Sequence, residues 1–212
     1  MNTTDLVAHI RDHLALASLS LFTALLVTAA AGASVGRFGA VRSFLLSASN
    51  AGRVIPSLAL LALMLPFLGV GFLPAAVALT ILAIPPIAIN ADLGLRGVPV
   101  EFIDAAQGLG MTQRQVRMRV RWPLALPVLF SGVRLAAVEV ISAATLAAFI
   151  GGGGLGEYII NGLANNDMPM LVTGALAISF LALSAQVLLG MVERRLASGT
   201  RDCLTVSESG LR

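Results

Sequence analysis

Long uncharged runs alternate with short polar stretches along this chain, and the runs are sized for a bilayer. Leu14 to Gly36 carries no charge and is long enough, as a helix, to cross hydrocarbon once. Val54 to Ala91 is also uncharged. As one helix it would measure about 57 Å, roughly twice the hydrocarbon thickness. It must fold back, and Pro66, Gly69, Gly71 and Pro74 supply the turn. Val54 to Pro66 is too short to cross alone, so the second crossing begins upstream, near Phe44, with Asn50 and Arg53 inside it. The pattern predicts five spans, at about 14–36, 44–67, 73–92, 124–150 and 168–192. Pro85-Pro86 is the expected kink in the third. A polar loop over 93–122 and a polar tail over 193–212 complete a single transmembrane domain covering 1–212. The first run is long enough to span, so it reads as a crossing and not as a cleaved leader. The fold class expected is an all-α membrane protein.

Composition agrees and removes several functions. Hydrophobic residues make up 57% and charged residues 12%, with a mean hydropathy of +0.90; soluble domains carry about 25% charged residues. One cysteine excludes an internal disulfide, and two histidines leave little for a metal centre. No metal site is expected. Every basic residue is arginine. A phosphate-binding P-loop needs a lysine, so any ATP used must be bound by another subunit. The pI of about 10.4 reflects where the arginines sit and does not call for a nucleic-acid partner. Arg37 and Arg42, then Arg96 to Arg121, then Arg194, Arg195, Arg201 and Arg212 fall on one side, against Arg11 on the other. The positive-inside bias puts the polar loop and the C-terminus in the cytosol and the N-terminus outside.

The polar loop has its own pattern. Pro99 is placed to open a short helix as its first residue. Phe102, Ala105, Ala106 and Leu109 then form one apolar stripe, flanked by Glu101, Asp104 and Gln107. Gly108 and Gly110 offer a stop. Thr112 and Gln115 make a capping box for a second short helix, which Trp122-Pro123 is expected to close. A helix that sought anionic lipid would carry basic residues on its polar face. Acids on the first helix favour a protein groove instead.

Asp104-Ala105-Ala106, three residues, Gly110, nine residues, then Val120-x-Trp122-Pro123 resembles the EAA loop of binding-protein-dependent ABC importer permeases. The spacing is kept; Asp104, Val120 and Trp122 stand where the family has Glu, Ile and Leu. The resemblance implies a type I (MetI-like) permease fold with coupling helices between spans three and four. It implies that Glu101, Phe102, Asp104, Ala105, Ala106, Leu109, Gly110, Thr112 and Pro123 belong to the surface that meets an ATPase subunit. That subunit would bind ATP and Mg, leaving this chain without cofactor or enzymatic activity. A second permease copy or a paralogue, and an external binding protein delivering substrate near Gly151 to Asp167, are the other implied partners. The location implied is the bacterial cytoplasmic membrane.

Ile55-Pro56-Ser57-Leu58, Gly69-Val70-Gly71-Phe72-Leu73-Pro74, Gly108-Leu109-Gly110-Met111-Thr112 and Phe149 to Gly156 are similar to permeases of osmoprotectant importers. The substrates so implied are glycine betaine, choline or carnitine. Another small solute, such as methionine, is the alternative within the same machine. An ion-driven carrier would usually show paired repeats, and none is visible.

Several positions remain as candidates for a pathway or for buried polar pairing: Asn50, Arg53, Ser57, Asn90, Arg134 and Glu139. Ionisable groups within membrane helices face bundle interiors or aqueous cavities. Arg134 and Glu139 are poorly spaced to pair on one helix. Gly151, Gly153 and Gly156 formally match a dinucleotide fingerprint, but they end a span where a strand is required; an outer-gate turn is expected there. One Trp and one Tyr are too few for an aromatic cage around a quaternary amine, so selectivity falls to the binding protein.

Overall fold

Every regular element described in the computed structural model is helical; it describes residues 3–35 and 56–209, leaving Asn50 and Arg53 outside the described residues. The order is α1 (Thr3–Val35), α2 (Ser57–Leu68), α3 (Phe72–Arg96), α4 (Val100–Gly108), α5 (Gln113–Val116), a π-helical turn (Arg117–Arg121), α6 (Trp122–Ala147), a 3-10 turn (Ala148–Ile150), α7 (Gly156–Ala164) and α8 (Met168–Ser209). Four described segments are long and apolar enough to cross a membrane: Asp5–Ala31, Phe72–Arg96, Gln113–Ile150 and Met168–Ala197. Ser57–Leu68 is a shorter apolar helix; the first part of the expected second span lies outside the described residues.

The turn between α2 and α3 falls at Gly69 to Gly71, both glycines with positive φ. Pro66 sits inside α2 and Pro74 in the first turn of α3. The Gly71 N–H donates to the Ile150 carbonyl at 2.7 Å. Gly94, near the far end of α3, lies against the Ala125 carbonyl near the start of α6. α3 and α6 are therefore antiparallel partners along their length. His9 of α1 meets Glu157 of α7, and Arg134 of α6 meets Glu193 of α8. The amino end and the end of α8 thus lie at opposite ends of the bundle.

Helices in lipid gain little from burying apolar side chains against one another, because lipid tails are equally apolar; close packing of small residues and interhelical hydrogen bonds carry association. The core shows this. Ala75, Ala76, Ala78, Leu79 and Ala83 of α3 are buried with Ala136, Val140, Ala143, Ala144 and Ala147 of α6. Hydrogen bonds join α1 to α3: Ser20 Oγ donates to the Ala76 carbonyl at 3.2 Å, and the Thr23 and Thr80 hydroxyls are 3.0 Å apart. Pro85 and Pro86 are both buried within α3. Lacking N–H groups, they free two carbonyls of the preceding turn.

Two boundaries differ from the sequence reading. Pro99 is the N-cap of α4 and not its first helical residue. Trp122-Pro123 does not close the second short helix, because the chain stays helical from Gln113 to Ile150. The π turn just before Pro123 loosens the ladder where the ring could not donate. The polar tail beyond 192 is helical as far as Ser209, where α8 ends.

Two helical glycines should respond oppositely to alanine. A Cβ on Gly132 would lie 2.5 Å from the Asn90 Cβ and 2.7 Å from the Pro86 carbonyl, whereas one on Gly108 would meet nothing within 4 Å. Gly132→Ala should cost about 1–3 kcal/mol by overpacking the α3–α6 seam. Gly108→Ala should be neutral or stabilise by about 0.5–1 kcal/mol. Thermal unfolding in detergent compares them; equal shifts would show that the seam is not close-packed.

Candidate functional site

Three polar or glycine-rich places interrupt the apolar bundle. The first is the elbow between α3 and α6. Gly97 ends α3, its N–H donating to the Leu93 carbonyl at 2.8 Å. α4 ends in a paired set of capping bonds: Met111 N–H to the Ala106 carbonyl at 3.1 Å, and Gly110 N–H to the Gln107 carbonyl at 2.9 Å. This Schellman arrangement needs a left-handed residue between them, and Gly110 supplies it at φ +78°. The Thr112–Gln115 capping box is present, with Thr112 N–H donating to Gln115 Oε1 at 2.8 Å and Gln115 N–H to Thr112 Oγ1 at 3.4 Å. The elbow is thus shaped by local bonds on both sides of its turn.

The expected apolar stripe divides in two. Ala106 is buried, and so is Val116 on α5; they face the elbow's own interior. Phe102 is half-buried, while Ala105 is exposed and Leu109 is 81% exposed. Glu101, Asp104, Thr112 and Pro123 are exposed, as are Arg114, Arg117, Arg119 and Arg121. The elbow therefore offers Leu109 and Ala105 outward, set between acids on α4 and arginines beyond α5.

The second place is an open groove on the side of the bundle. Ser57, Leu82, Glu139, Ser142 and Leu146 line a cavity of about 340 Å³, so Ser57 and Glu139 come together as neighbours of one space. Asn90 does not join them. Its Nδ2 donates to the Pro86 carbonyl at 2.8 Å, and its Oδ1 accepts from Ser131 at 3.4 Å, which places it in the α3–α6 seam beside Gly132. Arg134 is elsewhere again. Its Nε lies 3.2 Å from Glu193 Oε2, a half-buried ion pair between α6 and α8 that lacks hydrogen-bond alignment. Gly190 leaves room for the guanidinium. The sequence reading missed Glu193; its acid, just before Arg194-Arg195, resembled part of a polar tail. Asp92 pairs with Arg96 one turn along α3, at 3.5 Å.

The third place is the glycine turn after α6. Gly151 and Gly153 have positive φ, and Gly156 begins α7. This turn is packed, not loose. A Cβ on Gly156 would lie 2.1 Å from the Thr145 carbonyl, and one on Gly154 would lie 3.0 Å from His13 Nδ1. His13 is fully buried, and its Nε2–H donates to the Ile141 carbonyl at 3.0 Å. No strand precedes this turn among the described residues, so the dinucleotide pattern is coincidental. No group of three or more metal-ligating side chains occurs among the described residues. The sequence reading also missed α7, a short amphipathic helix carrying Glu157 and a buried Tyr158.

A helical bundle of this kind, with four described segments long and apolar enough to cross a bilayer, is that of a multi-pass membrane protein. Residues 22–198 match the family described as binding-protein-dependent transport system inner membrane component. The chain is 38% identical over 195 residues to the carnitine transport permease protein OpuCB of Listeria monocytogenes, covering 92% of this chain and 89% of that one. It is 39% identical over 198 residues to the osmoprotectant import permease protein OsmY of Salmonella typhimurium, covering 92% and 84%. Its fold is similar to that of a chain of the inward-facing MetNI methionine ABC transporter, with a TM-score of 0.75 at 23% identity, covering 92% and 99%. The protein belongs to the binding-protein-dependent transport system inner membrane component family and is a permease subunit of an ABC importer.

The Arg134–Glu193 pair yields a thermodynamic cycle. Arg134→Met strands a half-buried carboxylate and should destabilise by about 1–3 kcal/mol. Adding Glu193→Gln should restore most of that. Strict additivity of the two losses in thermal unfolding would mean that the pair is not coupled.

Proposed function

We propose that this chain is the membrane-spanning permease of an ATP-driven importer for quaternary-amine osmoprotectants, such as glycine betaine, choline or carnitine. The observation that carries the substrate class is the similarity along 92% of the chain to permeases named for carnitine, choline and osmoprotectant transport. The likeness to the methionine transporter, at 23% identity, speaks to fold alone. Methionine or another small solute is therefore the weaker reading.

The elbow is the coupling surface for a separate ATPase subunit, which binds ATP and Mg. Its capping bonds make it stiff, and a stiff elbow can pass a push from the ATPase into α6, with which it is continuous. Leu109 and Ala105 enter the partner's groove; Glu101, Asp104 and Thr112 rim the contact, and Phe102 packs beneath it. Ala106, Gly110 and Pro123 shape the elbow itself. The arginine bias puts this end in the cytosol and the N-terminus outside. A second permease copy or paralogue encloses the pathway, and an external binding protein delivers substrate at the end bearing Gly151, Gly153 and Gly156. Ser57 and Glu139 line that pathway where they border the 340 Å³ cavity.

Leu109 is solvent-exposed in this chain, so changing it tests docking without disturbing the fold. Leu109→Asp should leave the permease inserted, lose the ATPase subunit on purification and reduce carnitine uptake by more than about tenfold, the scale of an interface hot spot. Gly110→Val should act similarly through backbone strain, since positive φ is costly for a β-branched residue. Asp104→Glu should be tolerated. Retention of the ATPase and wild-type uptake by Leu109→Asp would remove the elbow from the coupling surface.

Glu139→Gln keeps the side chain's shape and removes its charge. Assembly and melting should stay close to wild type while uptake falls several-fold. Loss of assembly would instead make Glu139 a structural partner, and unchanged uptake would take it out of the pathway.

A further inference from the structure

His9 and the outer end of α1 hold a contact that the importer reading does not use. Its Nδ1 lies 2.6 Å from the Asp5 carbonyl oxygen and its Nε2 lies 3.1 Å from Glu157 Oε2. Both partners are acceptors. A neutral imidazole has one N–H and can serve only one of them; the imidazolium serves both. The ring also stands nearly perpendicular to Tyr158, with centroids 5.0 Å apart, a favoured aromatic geometry. Glu157 and Tyr158 lie in the first turn of α7, directly after the glycine turn.

The contact sits where it can hold that turn. One helical turn further along α1, His13 lies directly under Gly154. α1 therefore meets the turn at two levels: His13 below it and His9 beyond it on α7. Any outward movement of α7 and the turn away from α1 has to break the His9 contact. We propose that His9 is a positioning residue for transport: as an imidazolium it clasps α7 to α1 through Glu157 and so holds the Gly151–Gly156 turn in place.

Carboxylates approach the ring from three elements. On α1, Asp5 and Asp12 are nearby, and Asp12 faces Arg11 at 3.6 Å with both side chains largely in solvent. On α7 are Glu157 and Tyr158. At the start of α8, Asp167 borders the same open cavity of about 580 Å³ as His9 and Asp5. The clasp is complete while the ring carries both protons. It weakens as pH on the N-terminal side rises and the second proton leaves, because one of the two acceptors then faces a lone pair. Its consequence for uptake rests on the importer reading; the contact itself does not.

The test uses the permease–ATPase complex in proteoliposomes, with ¹⁵N-labelled histidine. A difference spectrum between wild type and His9→Gln isolates the His9 ring. It should show an imidazolium with both nitrogens protonated at neutral pH, and a neutral ring in Glu157→Gln. Carnitine uptake should then be measured across about two units on either side of the ordinary histidine value of ~6.5. Wild-type uptake should fall by about threefold as pH rises, the scale of a half-exposed ion pair. His9→Gln and Glu157→Gln should start low and stay flat. A merely structural contact would lower uptake without changing its pH profile. A neutral His9 in the wild-type spectrum, or superimposed wild-type and Glu157→Gln profiles, would overturn the proposal. Absence of carnitine uptake would count against the substrate reading, and the spectrum would still decide the clasp.

Discussion

α3 and α6 meet through positions that cannot carry larger side chains, and this seam organises the rest of the bundle. Gly132 rests on Pro86 and Asn90, Gly94 rests on the Ala125 carbonyl, and alanines fill the space between. Surrounded by lipid, the two helices have little hydrophobic reason to associate; dispersion across a close approach replaces it. The prolines of α3 fit the same logic. Both are buried within the bundle, and Asn90 on the same helix adds a side-chain bond to the Pro86 carbonyl. α1 packs against both helices of the pair, and α8 packs against α6.

The two ends of the bundle are built by different means. The elbow is a product of local hydrogen bonds: a Schellman cap, a capping box and a π turn into α6. Such a unit keeps its shape with few contacts to the bundle and suits a surface that a partner must grip. The glycine turn at the other end is a product of tertiary crowding. Its glycines touch α1, α3 and α6, and its position therefore depends on all three. One continuous helix joins the elbow to the turn.

Polar groups inside the bundle are used sparingly and in pairs. Ser20 and Thr23 tie α1 to α3, Arg134 and Glu193 tie α6 to α8, and His13 ties α1 to α6. Each joins two helices and none is spread along one face. Glu139 and Ser57 also border open space, and it is on that ground that they are proposed to line a pathway.

Much of the architecture was legible in the sequence because the signals are local. Uncharged length marks an apolar helix long enough to span, and a capping box needs only four consecutive residues; the Thr112–Gln115 box formed as its residues require. Of the two glycines that offered a stop, Gly110 takes the left-handed conformation and Gly108 stays within the helix. The split of the apolar stripe was not legible: Ala106 faces inward and Leu109 outward only because α4 folds back against α5. Pro123 looked like a stop, and only the π turn beside it shows how the helix runs on. The pairing of Arg134 with Glu193, and of His9 with Glu157 across 148 positions, belongs to the tertiary structure alone. Periodicity and caps act over a turn or two of chain, whereas these contacts depend on which helices the close-packed seam brings together.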